Sequence, residues 1–274
     1  MLKQRILTGI VLVAVVLGVL LLLPASWFLV CMGGVVLLGA WEWTRLAGLQ
    51  NLKARAAYVT LVLLALPLLY IQDPSQRRLV LVAGCLWWVY ACFLVRRYPA
   101  MDTLWRQRWL PAVAGLLVLL PGWSALVSLS MSGAHLLPIL LLLGMVSAAD
   151  IGAYFAGRVF GRHKLAPQVS PNKTWEGFAG GMCCSCAVAV LFGAAAGLGG
   201  PLTPQSLLKV LAASLSVAVV SVVGDLFESM VKRMAGVKDS GTLLPGHGGV
   251  LDRIDSIAAA LPLFAVTLNW FVVS

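Results

Sequence analysis

Residues 207–233 read LLKVLAASLSVAVVSVVGDLFESMVKR. The run stays apolar for about as long as the roughly 20 residues that carry a helix across a bilayer, and Asp225 and Glu228 interrupt it only near its far end. Asp225, Glu228, Ser229 and Lys232 follow the i, i+3, i+4, i+7 spacing that aligns side chains on one face of a helix. A polar stripe thus runs down an otherwise apolar helix. Carboxylates at membrane depth are costly, so they are expected to line a wet cavity with a partner, the bland alternative being an interhelical ion pair.

Comparable apolar stretches lie at 6–23, 26–41, 57–71, 79–95, 109–128, 135–157, 175–198 and 256–272, and with 207–229 they make nine spans. Composition agrees: 61% of the 274 residues are hydrophobic and 11% charged, where soluble domains carry about a quarter charged residues. The expected fold is all-α: a polytopic integral membrane protein of about nine transmembrane helices forming a single membrane-embedded domain over 1–274. Within it, 1–130 supply N-terminal helices of no assigned role, and 135–274 supply the catalytic helices and cytoplasmic loops. The first segment, with Lys3 and Arg5 before the run to Leu23, resembles a signal peptide. Its apolar run exceeds the roughly 7–15 residues of such a segment, so it is read as the first helix.

The excess of 20 Lys and Arg over 10 Asp and Glu would suggest nucleic acid on a soluble protein. In a membrane protein it marks cytoplasmic loops instead, so no nucleic-acid partner is expected. With the amino terminus placed in the cytoplasm, only Arg77, Arg78 and Lys209 fall on the opposite side. The six cysteines, at 31, 85, 92, 183, 184 and 186, form no zinc-type spacing and read as small buried hydrophobes.

Seven of the ten acids lie in the second half of the chain: Asp150, Glu176, Asp225, Glu228, Asp239, Asp252 and Asp255. The stretch SGTLLPGHGGVLDRIDS, 240–256, carries glycines that favour an irregular backbone whose N–H groups converge on an anion. Asp252 and Asp255 share a face as the last helix begins. Carboxylates converging with Lys and Arg are what nucleotidyl transfer uses, because Mg²⁺ takes oxygens from one or two acids plus substrate phosphates.

The other polar block is SPNKTWEG, 170–177, with Ser170, Asn172, Lys173 and Thr174. Thr174 is a candidate N-cap, so helix N–H groups and Lys173 form a second candidate anion site; the alternative is a capped helix with a topology-setting lysine. Of the histidines, His135 and His163 are assigned no role, and His247 is placed near substrate. No P-loop, GxSxG or HExxH signature is present.

The string SMVKRMAGVKDSGTLLPGHGGVLDRID, 229–255, closely resembles the signature of the phosphatidate cytidylyltransferases, or CDP-diacylglycerol synthases. DIGAYFAGRVFGRHKLAPQVSPNKTWEG, 150–177, is similar to a second block of that family. The resemblance implies Mg²⁺-dependent condensation of CTP with phosphatidic acid, giving CDP-diacylglycerol and pyrophosphate at the cytoplasmic face of a bacterial plasma membrane. It also implies a second, monovalent cation such as K⁺, and a homodimer. Carried over, the metal ligands fall on Asp225, Asp252 and Asp255, with Asp225 and Asp252 assigned to Mg²⁺ and Asp255 to the second cation or to Arg253. Asp225, Asp252, Lys232 and Lys173 take the catalytic positions, with Ser170, Asn172, Thr174, Ser229, Arg233, His247, Gly248, Gly249 and Arg253 at the substrates. Asp150, Glu228 and Asp239 support them. A transporter or flippase of an anionic solute or lipid is the competing reading, against which stand the missing inverted repeat and the charge gathered at one membrane face.

Overall fold

The computed structural model describes residues 2–100, 105, 107, 109–131, 136–195 and 203–271. Nine helices lie among them: α1 (Leu2–Leu22), α2 (Ala25–Leu46), α3 (Leu52–Tyr70), α4 (Pro74–Arg97), α5 (Trp109–Met131), α6 (Leu136–Phe160), α7 (Trp175–Ala195), α8 (Pro204–Met234) and α9 (Leu251–Phe271). Seven of them, α2 to α8, are long and apolar enough to cross a membrane by length and composition. The expected all-α polytopic membrane architecture is the one observed. Among the described residues it is interrupted by an antiparallel hairpin of β1 (Lys164–Ala166) and β2 (Ser170–Thr174) between α6 and α7. Pro167 follows Ala166 into its turn, which closes with the Val169 N–H on the Ala166 carbonyl at 3.1 Å. That is the position where proline's fixed φ favours a β-turn. His135, Arg106 and Arg108 lie outside the described residues.

The helices run past the apolar spans read from sequence. α2 continues from residue 41 to Leu46, and α9 begins at Leu251 rather than 256. Caps and backbone hydrogen bonds, not hydropathy, fix these ends. The Asn51 side chain accepts the Lys53 N–H to open α3, and Asp73 accepts those of Ser75 and Gln76 to open α4. Thr203 opens α8 through Ser206. At about 1.5 Å per residue, the 31 residues of α8 extend for about 46 Å, longer than the roughly 30 Å of bilayer hydrocarbon. The charged end of α8 therefore has room to reach the membrane surface.

Between helices in lipid, close packing replaces the hydrophobic effect as the main source of association. Phe227 of α8, almost fully buried, is ringed by Trp43 of α2, Trp87 and Trp88 of α4, and Trp105, with ring centroids 6.4, 5.5, 5.8 and 5.8 Å away. Three residues earlier, α8 meets α9 at Gly224. A Cβ there would lie 2.7 Å from the Asp255 carbonyl oxygen and 2.5 Å from the Ala259 methyl carbon. Only glycine lets the two backbones approach so closely, directly before Asp225.

The cysteines correct the sequence reading. All six are free; Cys92, Cys183 and Cys184 are exposed and Cys31, Cys85 and Cys186 half-buried, so none is a core residue. An apolar run in a membrane helix has a lipid-facing side as well as a packed one, and the run alone does not separate them.

Candidate active site

Asp225 and Lys232 of the α8 stripe and the opening residues of α9 face one cavity of about 300 Å³, lined by Asp150, Asp225, Lys232, Asp239, Asp252, Arg253, Asp255 and Ser256, while Glu228 and Ser229 are not among its lining residues. Three helices meet there. α6 supplies Asp150, α8 supplies Asp225 and Lys232, and α9 supplies Asp252, Arg253, Asp255 and Ser256. Acids separated by some 100 residues of chain share one wall-to-wall space.

Two lysines are clamped on those acids. Lys173 Nζ, delivered by β2, lies 2.6 Å from Asp225 Oδ2, with both side chains partly exposed. Lys232 Nζ lies 2.6 Å from Asp252 Oδ1 and 3.0 Å from Glu228 Oε2, and this group is much drier, Glu228 being only 2% exposed. Ser229 Oγ donates to Asp225 Oδ1 at 3.3 Å. The Ser256 N–H donates to Asp255 Oδ1 at 2.7 Å.

Asp252 is held more firmly than any other acid of the cavity. Its Oδ2 accepts the Ser240 N–H at 3.0 Å, the Ser240 hydroxyl at 2.9 Å and the Gly249 N–H at 2.8 Å. The irregular 240–249 backbone has Gly246 and Gly248 at φ of 76° and 84°. Convergent N–H groups of the expected kind do form, and the anion that they hold in this structure is the Asp252 carboxylate itself.

The remaining residues singled out in the sequence fall at the margins. Thr174 is buried and caps α7, accepting the Gly177 N–H at 3.1 Å. His163, assigned no role, ties its loop to α7 instead: its Nδ1 lies 2.6 Å from Glu176, which also accepts the Arg162 N–H at 3.1 Å. Ser170 is half-buried on β2, while Asn172 and Arg233 are exposed; none of the three is among the cavity's lining residues. His247 packs towards α1, where a Cβ on Gly9 would lie 3.7 Å from its Nε2. Gly248 and Gly249 act through backbone, Gly248 accepting the Leu244 N–H and Gly249 donating to Asp252.

Sequence reasoning passed over Ser240, Ser256 and Glu42. Glu42, on α2 in the half of the chain given no role, is 4% exposed and accepts the N–H groups of Val250 and Leu251. Its signal was present: an acid between Trp41 and Trp43 at the end of an apolar run. Among the described residues, no group of three or more His, Cys, Asp or Glu side chains is arranged to hold a metal ion.

A helical bundle with seven helices apolar enough to cross a membrane, and with five aspartates, Lys232 and Arg253 lining one hydrophilic cavity, defines a class: polytopic membrane proteins with a charged site between their helices. Comparison with known proteins narrows it. Residues 3–271 match the model of the Cytidylyltransferase family. The chain is 48% identical to the phosphatidate cytidylyltransferase of Pseudomonas aeruginosa, over 98% of this chain and 97% of that one. It is 39% identical to that of Haemophilus influenzae, over 97% and 98% respectively. This chain belongs to the cytidylyltransferase family.

Proposed function

We infer that the chain transfers the cytidylyl group of CTP to phosphatidic acid, giving CDP-diacylglycerol and pyrophosphate. The observation that carries this reading, beside the two full-length relatives of that name, is the single cavity joining Asp225, Lys232, Asp252 and Asp255, with Lys173 reaching Asp225. A transporter is not favoured, since the full-length relatives are named for a transfer reaction. Purified protein given labelled CTP, phosphatidic acid and Mg²⁺ should yield labelled CDP-diacylglycerol with one pyrophosphate each. A lipid flipped without pyrophosphate release would overturn the reading.

The chemistry needs little proton transfer. A phosphate monoester has its second pKa near 6, so phosphatidate is largely dianionic at neutral pH and its oxygen is already a nucleophile. That oxygen attacks the α-phosphorus of CTP; the new O–P bond forms as the bond to the bridging oxygen of pyrophosphate breaks. What remains for the protein is alignment and neutralisation of charge on two polyanions. In this proposal Lys173 and Lys232 hold phosphate oxygens, Arg253 at the cavity wall holds the departing pyrophosphate, and Ser229 orients the Lys173 and Asp225 pair. Arg233, at the exposed end of α8, and Ser170, Asn172 and His247 form the approach to the cavity.

Magnesium suits the donor set, which offers hard carboxylate oxygens and no sulfur. One or two protein carboxylates suffice for Mg²⁺ when substrate phosphates complete the shell, so a trio of acids in fixed geometry is not required. Asp255 would hold it together with Asp225, which would exchange its Lys173 contact, and Asp252 would join only by exchanging its Lys232 contact. When bound, the ion would withdraw charge from the reacting phosphate. A monovalent cation near Asp255 and a homodimer belong to the same proposal through the family resemblance.

The cavity's cytoplasmic orientation is likewise proposed. It rests on the placement of all but three of the 20 Lys and Arg on the side of the amino terminus. Cysteine labelling of Asn172 and Gln76 replacements in sealed vesicles, from opposite sides, would test it.

A further inference from the structure

Glu42 belongs to α2, in the first half of the chain, and nothing in the reaction just described uses it. A carboxylate 4% exposed within a membrane bundle is costly unless fully paired. Its partners are unusual. Oε1 accepts the Val250 N–H at 3.0 Å and Oε2 the Leu251 N–H at 2.9 Å. These amides, 208 and 209 residues away, open the first turn of α9, where helix N–H groups have no partner within the helix. No residue from 249 to 251 carries an oxygen-bearing side chain, so the chain around the start of α9 offers no cap of its own there. Glu42 caps the helix from a distance, its negative charge at the positive end of the helix dipole.

The preceding amide, that of Gly249, donates to Asp252 instead. Three successive N–H groups are thus divided between two carboxylates, one at Asp252 and two at Glu42. Ser240 stands between them, its Oγ 2.9 Å from Asp252 Oδ2 and 3.2 Å from Glu42 Oε2. A hydroxyl has one proton, so it donates to only one of the pair at a time, and the shorter contact is to Asp252. The backbone amides are therefore what tie Glu42 to the loop. Gly241 and Gly249 make the approach possible, since a Cβ on either would collide with the Glu42 carboxylate. The far end of the tie is fixed by the next residue, Trp43, 1% exposed and donating from Nε1 to the Pro111 carbonyl at 2.7 Å.

We propose that Glu42 is a positioning residue for the transfer reaction: it anchors the start of α9 so that Asp252 faces Lys232. This rests on the functional reading above. Glu42 touches no cavity-lining side chain that would meet substrate, and acts through the backbone that carries Asp252.

The test compares wild-type protein with Glu42→Gln, Glu42→Asp and Glu42→Ala, purified in detergent. Turnover is read as kcat and KM for CTP, and backbone anchoring as hydrogen exchange at Val250 and Leu251. Glu42→Gln is nearly isosteric but sets an amide N–H against one of the two backbone N–H groups. It should lower kcat about tenfold or more, as loss of a charged hydrogen bond does, with KM changed less than about threefold. Exchange at the two amides should accelerate, and Glu42→Asp should recover part of the lost kcat. Folded Glu42→Gln protein with wild-type kcat and wild-type exchange would overturn the proposal. So would faster exchange or a lower thermal midpoint with kcat unchanged, which marks a structural cap alone. Should wild-type protein itself make no CDP-diacylglycerol, the functional reading and this positioning role fall together, while the exchange measurement still decides the anchor. Glu42→Ala serves only as the extreme of the series, because it strands both amides.

Discussion

Lys232 Nζ and Asp252 Oδ1 lie 2.6 Å apart, joining the polar end of α8 to the first turn of α9. Glu228 takes the same ammonium group at 3.0 Å, so two acids share one cation at a nearly dry position. The contact fixes the relative position of the two helices at the cavity and also holds a positive charge beside it.

Removing that charge should be costly twice over. Lys232→Met strands Glu228 and leaves Asp252 Oδ1 without its cation, and breaking a buried pair by deleting one partner costs about 3–5 kcal/mol. The thermal midpoint in detergent should fall clearly, and turnover of the protein still folded should fall about 100-fold or more, the loss typical of a transition-state charge partner. A variant with wild-type turnover would remove Lys232 from the phosphate contacts.

Lys173 should behave differently, because its pair with Asp225 is partly exposed and sits on a surface hairpin. Lys173→Ala is expected to leave stability within about 1 kcal/mol of wild type, as screened ion pairs contribute little to it. Its KM for one anionic substrate should rise about tenfold. Steady-state kinetics with CTP and phosphatidic acid varied in turn identifies which substrate.

Gly224 tests whether the closeness of α8 and α9 matters. Any side chain there meets the Asp255 carbonyl and the Ala259 methyl group, so Gly224→Val should cost about 1–3 kcal/mol in overpacking. Activity and thermal midpoint should decline together. A fully stable, fully active Gly224→Val protein would mean that the helices can part without moving the acids.

Metal dependence can be read directly. Chelation with EDTA should abolish turnover and added Mg²⁺ restore it. Asp255→Asn should raise the Mg²⁺ concentration for half-maximal rate at least about tenfold, the scale on which metal sites respond to altered ligands. An unchanged Mg²⁺ requirement would take Asp255 out of the metal's surroundings.

Much of this was legible in the sequence for a physical reason. In a bilayer every span must be apolar, so helices stand out and misplaced acids stand out further; Asp150, Asp225 and Glu228 are visible on that ground alone. The i, i+3, i+4, i+7 spacing placed Asp225 and Lys232 on one face because a helix is a local rule. What escaped are relations between remote segments. The 164–174 hairpin lies in a charged loop without strand alternation. Lys173 gave its charge but not its partner, since nothing local says that β2 folds back onto α8. Glu42 was passed over because its partners are backbone amides some 208 residues away, which have no signature of their own. The cysteines misled because an apolar run does not distinguish a lipid-facing side from a packed one.

If acids of α8 and α9 act together on one substrate phosphate, as proposed, pyrophosphate release depends on both. Wild-type protein, Asp225→Asn and Asp252→Asn, each confirmed as folded and membrane-inserted, would be supplied with labelled CTP, phosphatidic acid and Mg²⁺. The wild type should give stoichiometric pyrophosphate and CDP-diacylglycerol, and each variant should lose about 100-fold or more of that rate. Wild-type rates from either variant would contradict that joint action.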